Sequence, residues 1–252
     1  MNHQCSGNVS FNQGYYSDTN DGSQCVPCGS VSGFGATQCF DCSANGLSLS
    51  ADKTTCLCPK REIFSNDDQK CRAIGDFCAG YDKGSDDNDR FLKAHNYFRA
   101  RHWEDYSSAM LSTDGSLASG AQSYSDKCEW GHSSGAKHSE YGENIAASNA
   151  SDYTLEYSVE QWYSEIVKYT PTTGYSEVTG HYTALIWKDV SKLGCGFTQQ
   201  PGCAGYGNYS VCRYSDGLPN YNNQFGDNVP KSNVPVRSEA ETCALIYGGG
   251  EL

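Results

Sequence analysis

Residues 180–196 read GHYTALIWKDVSKLGCG, and the reading of this stretch decides how the chain divides. Its core, HYTALIWK, is short, β-branched and aromatic, a composition that suits a pleated, half-buried surface and predicts a strand. NYSVCRYS at 208–215 has the same character and predicts a second strand, with Gly194, Gly196, Gly202, Gly205 and Gly207 marking turns around the two. Upstream the pattern becomes helical. FLKAHNYFRARHW, from Phe91, repeats its apolar positions near the helical period. GSLASGAQSYSDKC at 115–128 sets Leu117, Ala121 and Tyr124 on one side. Leu155, Val159, Trp162 and Ile166 step by four, three and four, the clearest amphipathic stripe in the chain. Three helices interleaved with a few strands predict a layered α/β or α+β domain of about 135 residues, here residues 90–226.

The rest of the chain is built differently. Of 14 cysteines among 252 residues, nine fall in residues 1–78, where Gly, Ser, Asn and Asp interrupt every few residues. Such a segment cannot bury a large core and relies on crosslinks. The pairs Cys25/Cys28 and Cys39/Cys42 could hold a tetrahedral ion, but five further cysteines would be left over, so disulfides in an oxidising compartment are the better reading. Asn8, Asn149 and Asn208 each head an N-x-S sequence, the acceptor pattern for glycans on secreted proteins. The first residues, MNHQCSGNVS, lack the apolar run of a secretory leader, so a leader is expected to have been removed or to precede this segment. No apolar run approaches the length of a membrane-spanning helix. A formal charge of -12 disfavours nucleic acid as a partner. Residues 79–89, AGYDKGSDDND, form an acidic linker whose spacing does not match a calcium loop, and Asp89 is expected to cap the helix that follows. Residues 227–252 are expected to be a C-terminal tail.

No HExxH, GxSxG, phosphate-binding or dinucleotide-binding motif is present. Four titratable residues stand out by context: His132, Glu143, Glu165 and His181. HNYFR at 95–99, KCEWGHSS at 127–134, YGENI at 141–145, VEQWYSE at 159–165, GHYTALIWKDVSKLGCG at 180–196 and VCRY at 211–214 fall in the order seen in one family. Together they resemble the CAP domain of cysteine-rich secretory proteins, antigen 5 and pathogenesis-related proteins. That resemblance implies a three-layer α-β-α sandwich of the α+β class, with an open cleft lined by His132, Glu143, Glu165 and His181. It also implies disulfides Cys128–Cys203 and Cys195–Cys212. The odd cysteine count of the N-terminal module suggests that Cys78 reaches Cys243. That module itself resembles growth-factor-receptor-like and EGF-like repeats, which implies a Cys58–Cys71 bond in CLCPKREIFSNDDQKC. Two departures from the family pattern stand out. Ala184 replaces a glutamine, and CRYSDGLPNY has Asp216 for a proline and one residue inserted before Asn220.

Two imidazoles can share a divalent cation while two carboxylates orient them or bind the water on the metal. The same four groups could serve as general acid and base, or as a purely structural network. The resemblance implies a secreted binding protein, taking a hydrophobic small molecule such as a sterol or fatty acid, or an extracellular protein, and holding Zn²⁺ weakly at His132 and His181. It implies no generally accepted reaction. The rival readings are a metal-dependent hydrolase acting through the tetrad and a structural or adhesive protein that uses the Cys-rich module for recognition.

Overall fold

The computed structural model describes six short strand segments between residues 15 and 72, Cys78, and residues 84–247 except 152, 171–173, 222–223 and 232–235. The chain forms two compact units, Met1–Ala73 and Ile74–Leu252. In the first, strands β1 (Tyr15–Ser17) and β2 (Cys25–Pro27), β3 (Ser48–Leu49) and β4 (Cys56–Leu57), and β5 (Ile63–Ser65) and β6 (Lys70–Arg72) form three antiparallel pairs. The Cys58–Cys71 bond and Asn8 fall outside the described residues.

The second unit is a three-layer α-β-α sandwich. Its central sheet has the order β7 (Ser112–Thr113), β9 (Lys192–Gln199), β10 (Asn208–Ser215), β8 (Gly142–Ser148). Strand β10 runs antiparallel to both β8 and β9, and β7 joins β9 in parallel. NYSVCRYS is therefore a central strand, as its composition predicts.

On one face lies α2 (Gly115–Ser125), whose N-cap Asp114 accepts from the N–H groups of Ser116 and Leu117. Its approach to the sheet explains the GCG of residues 194–196. A Cβ on Gly194 would lie 2.1 Å from the Ala118 nitrogen, and one on Gly196 would lie 2.3 Å from the Gln122 Cα. Only glycine permits that contact. Ala121, Ile145, Tyr209 and Val211 fill the layer between helix and sheet.

On the other face lie α1 (Asp87–His102), α4 (Leu155–Ser164) and α5 (Gly180–Ile186). Helix α1 buries Phe91, Ala94 and Phe98, and α4 buries Leu155, Val159 and Trp162. The Trp162 indole donates to the Ile145 carbonyl at 3.0 Å and so ties α4 to β8. Helix α1 begins earlier than its apolar stripe. Its N-cap is Asp86, which accepts from the Asp89 N–H, while the Asp89 carboxylate accepts in return from the Ser85 N–H. Asp89 thus lies inside the first turn, where its charge also favours the helix N-terminus. One-turn helices α3 (Ser134–Lys137) and α6 (Phe225–Asn228) flank the sandwich.

The stretch HYTALIWK is not a strand. It is helix α5, and its β-branched residues are overridden by contacts from elsewhere in the chain. At the N-terminus, the Glu165 carboxylate accepts from the N–H groups of His181 and Tyr182, which no helical carbonyl could satisfy. The Thr183 hydroxyl turns back to the Thr179 and Gly180 carbonyls. At the C-terminus, the fully buried Arg99 guanidinium donates to the carbonyls of Leu185, Trp187, Lys188 and Val190, and also to that of Ala109. Burial lowers the Arg99 pKa to about 9, so the group stays cationic at neutral pH, and its charge complements the helix C-terminus.

Described residues beyond 226 add further structure. Arg237 donates to the carbonyls of Ala100, Trp103 and Glu104 at the end of α1. Helix α7 (Glu239–Tyr247) follows, opened by a reciprocal cap between Ser238 and Glu241. Disulfides join Cys78 to Cys243, Cys128 to Cys203 and Cys195 to Cys212. The last pair bridges directly opposed positions of β9 and β10. None of the described helices is long and apolar enough to cross a membrane.

Candidate functional site

Glu143, the second residue of β8, carries a buried side chain that receives four hydrogen bonds. They come from His132 Nδ1 at 3.1 Å, the Ser133 N–H at 2.8 Å, the Ser133 hydroxyl at 2.6 Å and Arg213 Nε at 3.1 Å. Burial pushes the Glu143 carboxyl up, but those donors outweigh it and hold the group below its ordinary range. The Arg213 guanidinium in turn lies over the Tyr141 ring, 4.4 Å from its centroid.

Glu165, in the turn that follows α4, forms the second centre. Beyond its two backbone donors it accepts from His181 Nδ1 at 2.6 Å. His132 and His181 are thus arranged alike. Each uses Nδ1 on a carboxylate, which in the neutral ring leaves the Nε2 lone pair available. Both side chains reach solvent, with 45% and 33% exposure.

The two His–Glu pairs are tied to adjacent residues of β8. Glu143 holds His132, and the next residue, Asn144, donates to the His181 carbonyl at 3.0 Å. Asn144 also donates to the Tyr214 hydroxyl, which bonds His95 Nε2 at 2.9 Å, while His95 Nδ1 reaches the Phe91 carbonyl. This chain runs from the core of α1 to the first turn of α5. Asn220, in left-handed backbone, completes the support by donating to the Gly180 carbonyl and accepting from the Thr183 hydroxyl. Ala184 is buried within α5.

Sequence reasoning singled out the four His and Glu residues but not Asn144, Ser133, Arg213, Tyr214 or Asn220, which hold them. The motifs containing Asn144 and Tyr214 were the available signal. A Cβ at Gly142 or at Gly180 would meet protein, the Pro219 ring and the Tyr175 ring respectively.

Among the described residues, no group of three or more His, Cys, Asp or Glu side chains is arranged to hold a metal ion. Glu143, with four donors, has no acceptor position left for a cation, so the donors that a cation could use here are the two Nε2 atoms and Glu165, which accepts three hydrogen bonds.

The glycan acceptors also separate. Asn149 is exposed, just after β8. Asn208 is placed differently. It is 4% exposed within β10, its Nδ2 donates to the carbonyls of Ser148 and Ala150, and its Oδ1 accepts from Gln199.

A family model described as the cysteine-rich secretory protein family (CAP) matches residues 92–214. Protein PRY2 of Saccharomyces cerevisiae is 35% identical over 144 residues, covering 55% of this chain and 39% of that protein. Pathogenesis-related protein 1A of Nicotiana tabacum is 32% identical over 131 residues, covering 49% of this chain and 71% of that protein. Among solved structures, a hookworm platelet inhibitor matches at 22% identity and a TM-score of 0.42, over 69% of this chain and 88% of that one. The match spans less than half of some relatives, 39% of PRY2 and 46% of salivary antigen-5 of Dipetalogaster maximus.

Proposed function

This chain belongs to the cysteine-rich secretory protein (CAP) family, and on that premise we propose that it is a secreted binding protein whose His132 and His181 hold a divalent cation such as Zn²⁺ weakly. The observation that carries the reading is the matched pair of His–Glu contacts. In each, a carboxylate fixes the imidazole through Nδ1 and leaves Nε2 as a ligand, the arrangement by which carboxylates orient metal-binding histidines. Two protein nitrogens leave the remaining positions to water, so affinity is modest. A bound cation would supply Lewis acidity and a fixed charge at the mouth of the site. This chain's residues supply the rest: Glu143 and Glu165 set the ring orientations, and Asn144 and Asn220 hold the first turn of α5.

The same bonds argue against one form of the hydrolase reading, the form in which Glu143 is the general base. A general base needs a lone pair free for the attacking water, and the Glu143 carboxylate already receives four donors. A secreted location is supported by the disulfides and by relatives named for saliva and venom, salivary antigen-5 and the cysteine-rich venom protein of Conus textile.

An apolar ligand near α5 is a second reading with its own support. Tyr175, Val178 and Tyr221 are exposed large side chains close in sequence to Gly180 and Asn220, and the Tyr175 ring lies against Gly180.

Calorimetric titration of Zn²⁺ into the native protein and into His132→Ala and His181→Ala tests the cation site. Binding that weakens in both variants and disappears on acidification is expected, since protonated imidazole cannot ligate. Equal binding by all three proteins refutes it.

A further inference from the structure

Two loops on the α2 side of the sandwich adopt unfavourable backbone and use it to display aromatic rings. The first, after α2, contains Cys128 at φ 54° and Gly131 at φ 134°. The second, between β9 and β10, contains Gly202 at φ 77°, Ala204 at φ 53° and Gly205 at φ 81°. Left-handed backbone at two non-glycine residues persists only where the surroundings enforce it, and such strain gathers at recognition sites. Here the enforcement is visible. Cys128–Cys203 joins the loops, and the Ala204 N–H donates to the Cys128 carbonyl. The Tyr209 hydroxyl donates to the carbonyls of Glu129 and Gly131, and the Tyr124 hydroxyl also donates to Gly131.

What the loops present is Trp130 at 58% exposure and Tyr206 at 50%. Their rings meet edge to face with centroids 6.1 Å apart, and the buried Tyr209 backs Trp130 at 6.0 Å. An exposed indole contributes little to folding, whereas rigid aromatic anchors lose little freedom when a partner covers them. The electrostatics select the partner. The ring faces are electron-rich, exposed Glu129 adjoins Trp130, and the chain carries a formal charge of -12. The basic neighbour in that loop, Lys127, lies over the Tyr124 ring.

We propose that Trp130 and Tyr206 form a preorganised docking surface for an arginine-bearing segment of a partner protein. The guanidinium stacks on the indole, and Glu129 supplies the opposing charge. The proposal does not depend on the cation reading of His132 and His181.

The test uses the full disulfide-bonded chain and nona-arginine as probe at physiological salt, read by quenching of tryptophan fluorescence and by calorimetry. A double variant, Trp130→Leu with Tyr206→Leu, is expected to bind about fivefold more weakly or worse, and Trp130→Phe to keep most of the affinity. Melting curves confirm that the variants fold, which the exposure of both side chains favours. Glu129→Gln is expected to weaken binding by a smaller factor. Affinity of the double variant within about twofold of native would reduce the attraction to bulk charge and overturn the proposal. Tighter binding of a neutral chitin hexamer than of nona-arginine, lost with Trp130→Leu, would also overturn it and assign the rings to a glycan.

Discussion

The two faces of the central sheet each bury an arginine, and they hold it in opposite ways. On the α2 face, Arg213 is paired with Glu143, and both belong to the candidate site. On the opposite face, Arg99 is completely buried among five main-chain carbonyls with no carboxylate among its bonds. His95 and His102 share that face, and burial lowers each of their pKa values to about 3, so both are neutral at ordinary pH. Arg213 is held by an ion pair that acid can discharge. Arg99 is held by dipoles, and beside it lie histidines that must stay uncharged, although the same face also carries the Arg90–Glu156 ion pair between α1 and α4. The surroundings of the two arginines should therefore fail in different ways.

Replacing Arg99 gives the sharpest contrast. Arg99→Met strips the C-terminus of α5 of its donors and leaves buried carbonyls unsatisfied, so a loss of about 3–5 kcal/mol is expected in denaturant unfolding. Arg99→Lys cannot reproduce the planar fork and should recover only part of that. A loss below about 1 kcal/mol for Arg99→Met would show that α5 holds without its cap.

Acid separates the faces by pH. For His95 and His102 the unfolded chain binds protons first, because its imidazoles titrate near 6.5 and the folded ones near 3. Their contribution is complete above about pH 6.5 and is lost on descent towards 3, at up to about 1.4 kcal/mol per pH unit for each ring. Glu143 is also depressed on folding, so its contribution is complete above the ordinary carboxylate range and is lost only below it. Stability measured against pH should therefore start to fall near 6.5 in the native protein. The fall should be shallower there in His102→Gln, whereas Glu143→Gln should lower the whole curve above the carboxylate range and change its slope only below it. A flat profile from pH 7 to 5 would contradict the account of the buried histidines.

The smallest effect belongs to the α2 face alone. Asp114→Ala removes the cap from the start of α2 and should cost about 1 kcal/mol. Because α2 lies against Gly194 and Gly196, Gly196→Ala is a useful companion, since it should cost more by forcing the helix off the sheet.

What could be read from sequence follows the range of the forces involved. The α4 stripe and the β10 strand were legible because each is fixed by the alternation of its own residues. The N-terminus of α1 was misplaced by three residues, since Asp86 and Asp89 are equally good caps on paper and only the Asp86–Asp89 contact distinguishes them. Helix α5 was misread as a strand because its ends are held by Glu165 and Arg99, which lie 16 and 86 residues away in their shortest contacts to it. The candidate site shows the same limit. Motif resemblance picked out the His and Glu residues, but residue types alone did not pair them. Nor did they reveal Arg213, which reaches Glu143 across 70 residues. The burial of Asn208 was not legible, because a three-residue pattern carries no information about burial in a strand.

The Cys78–Cys243 bridge has a mechanical consequence. It spans 165 residues of sequence and encloses the whole sandwich. Tension applied to chain outside these two positions passes through the sulfur–sulfur bond, and the helices and sheet between them bear none of it. The sandwich thus acts as a covalently bypassed loop rather than a link in series. Under tension the segment between the two cysteines would lengthen by roughly 560 Å on reduction and unfolding, at about 3.4 Å per residue, and by almost nothing before reduction.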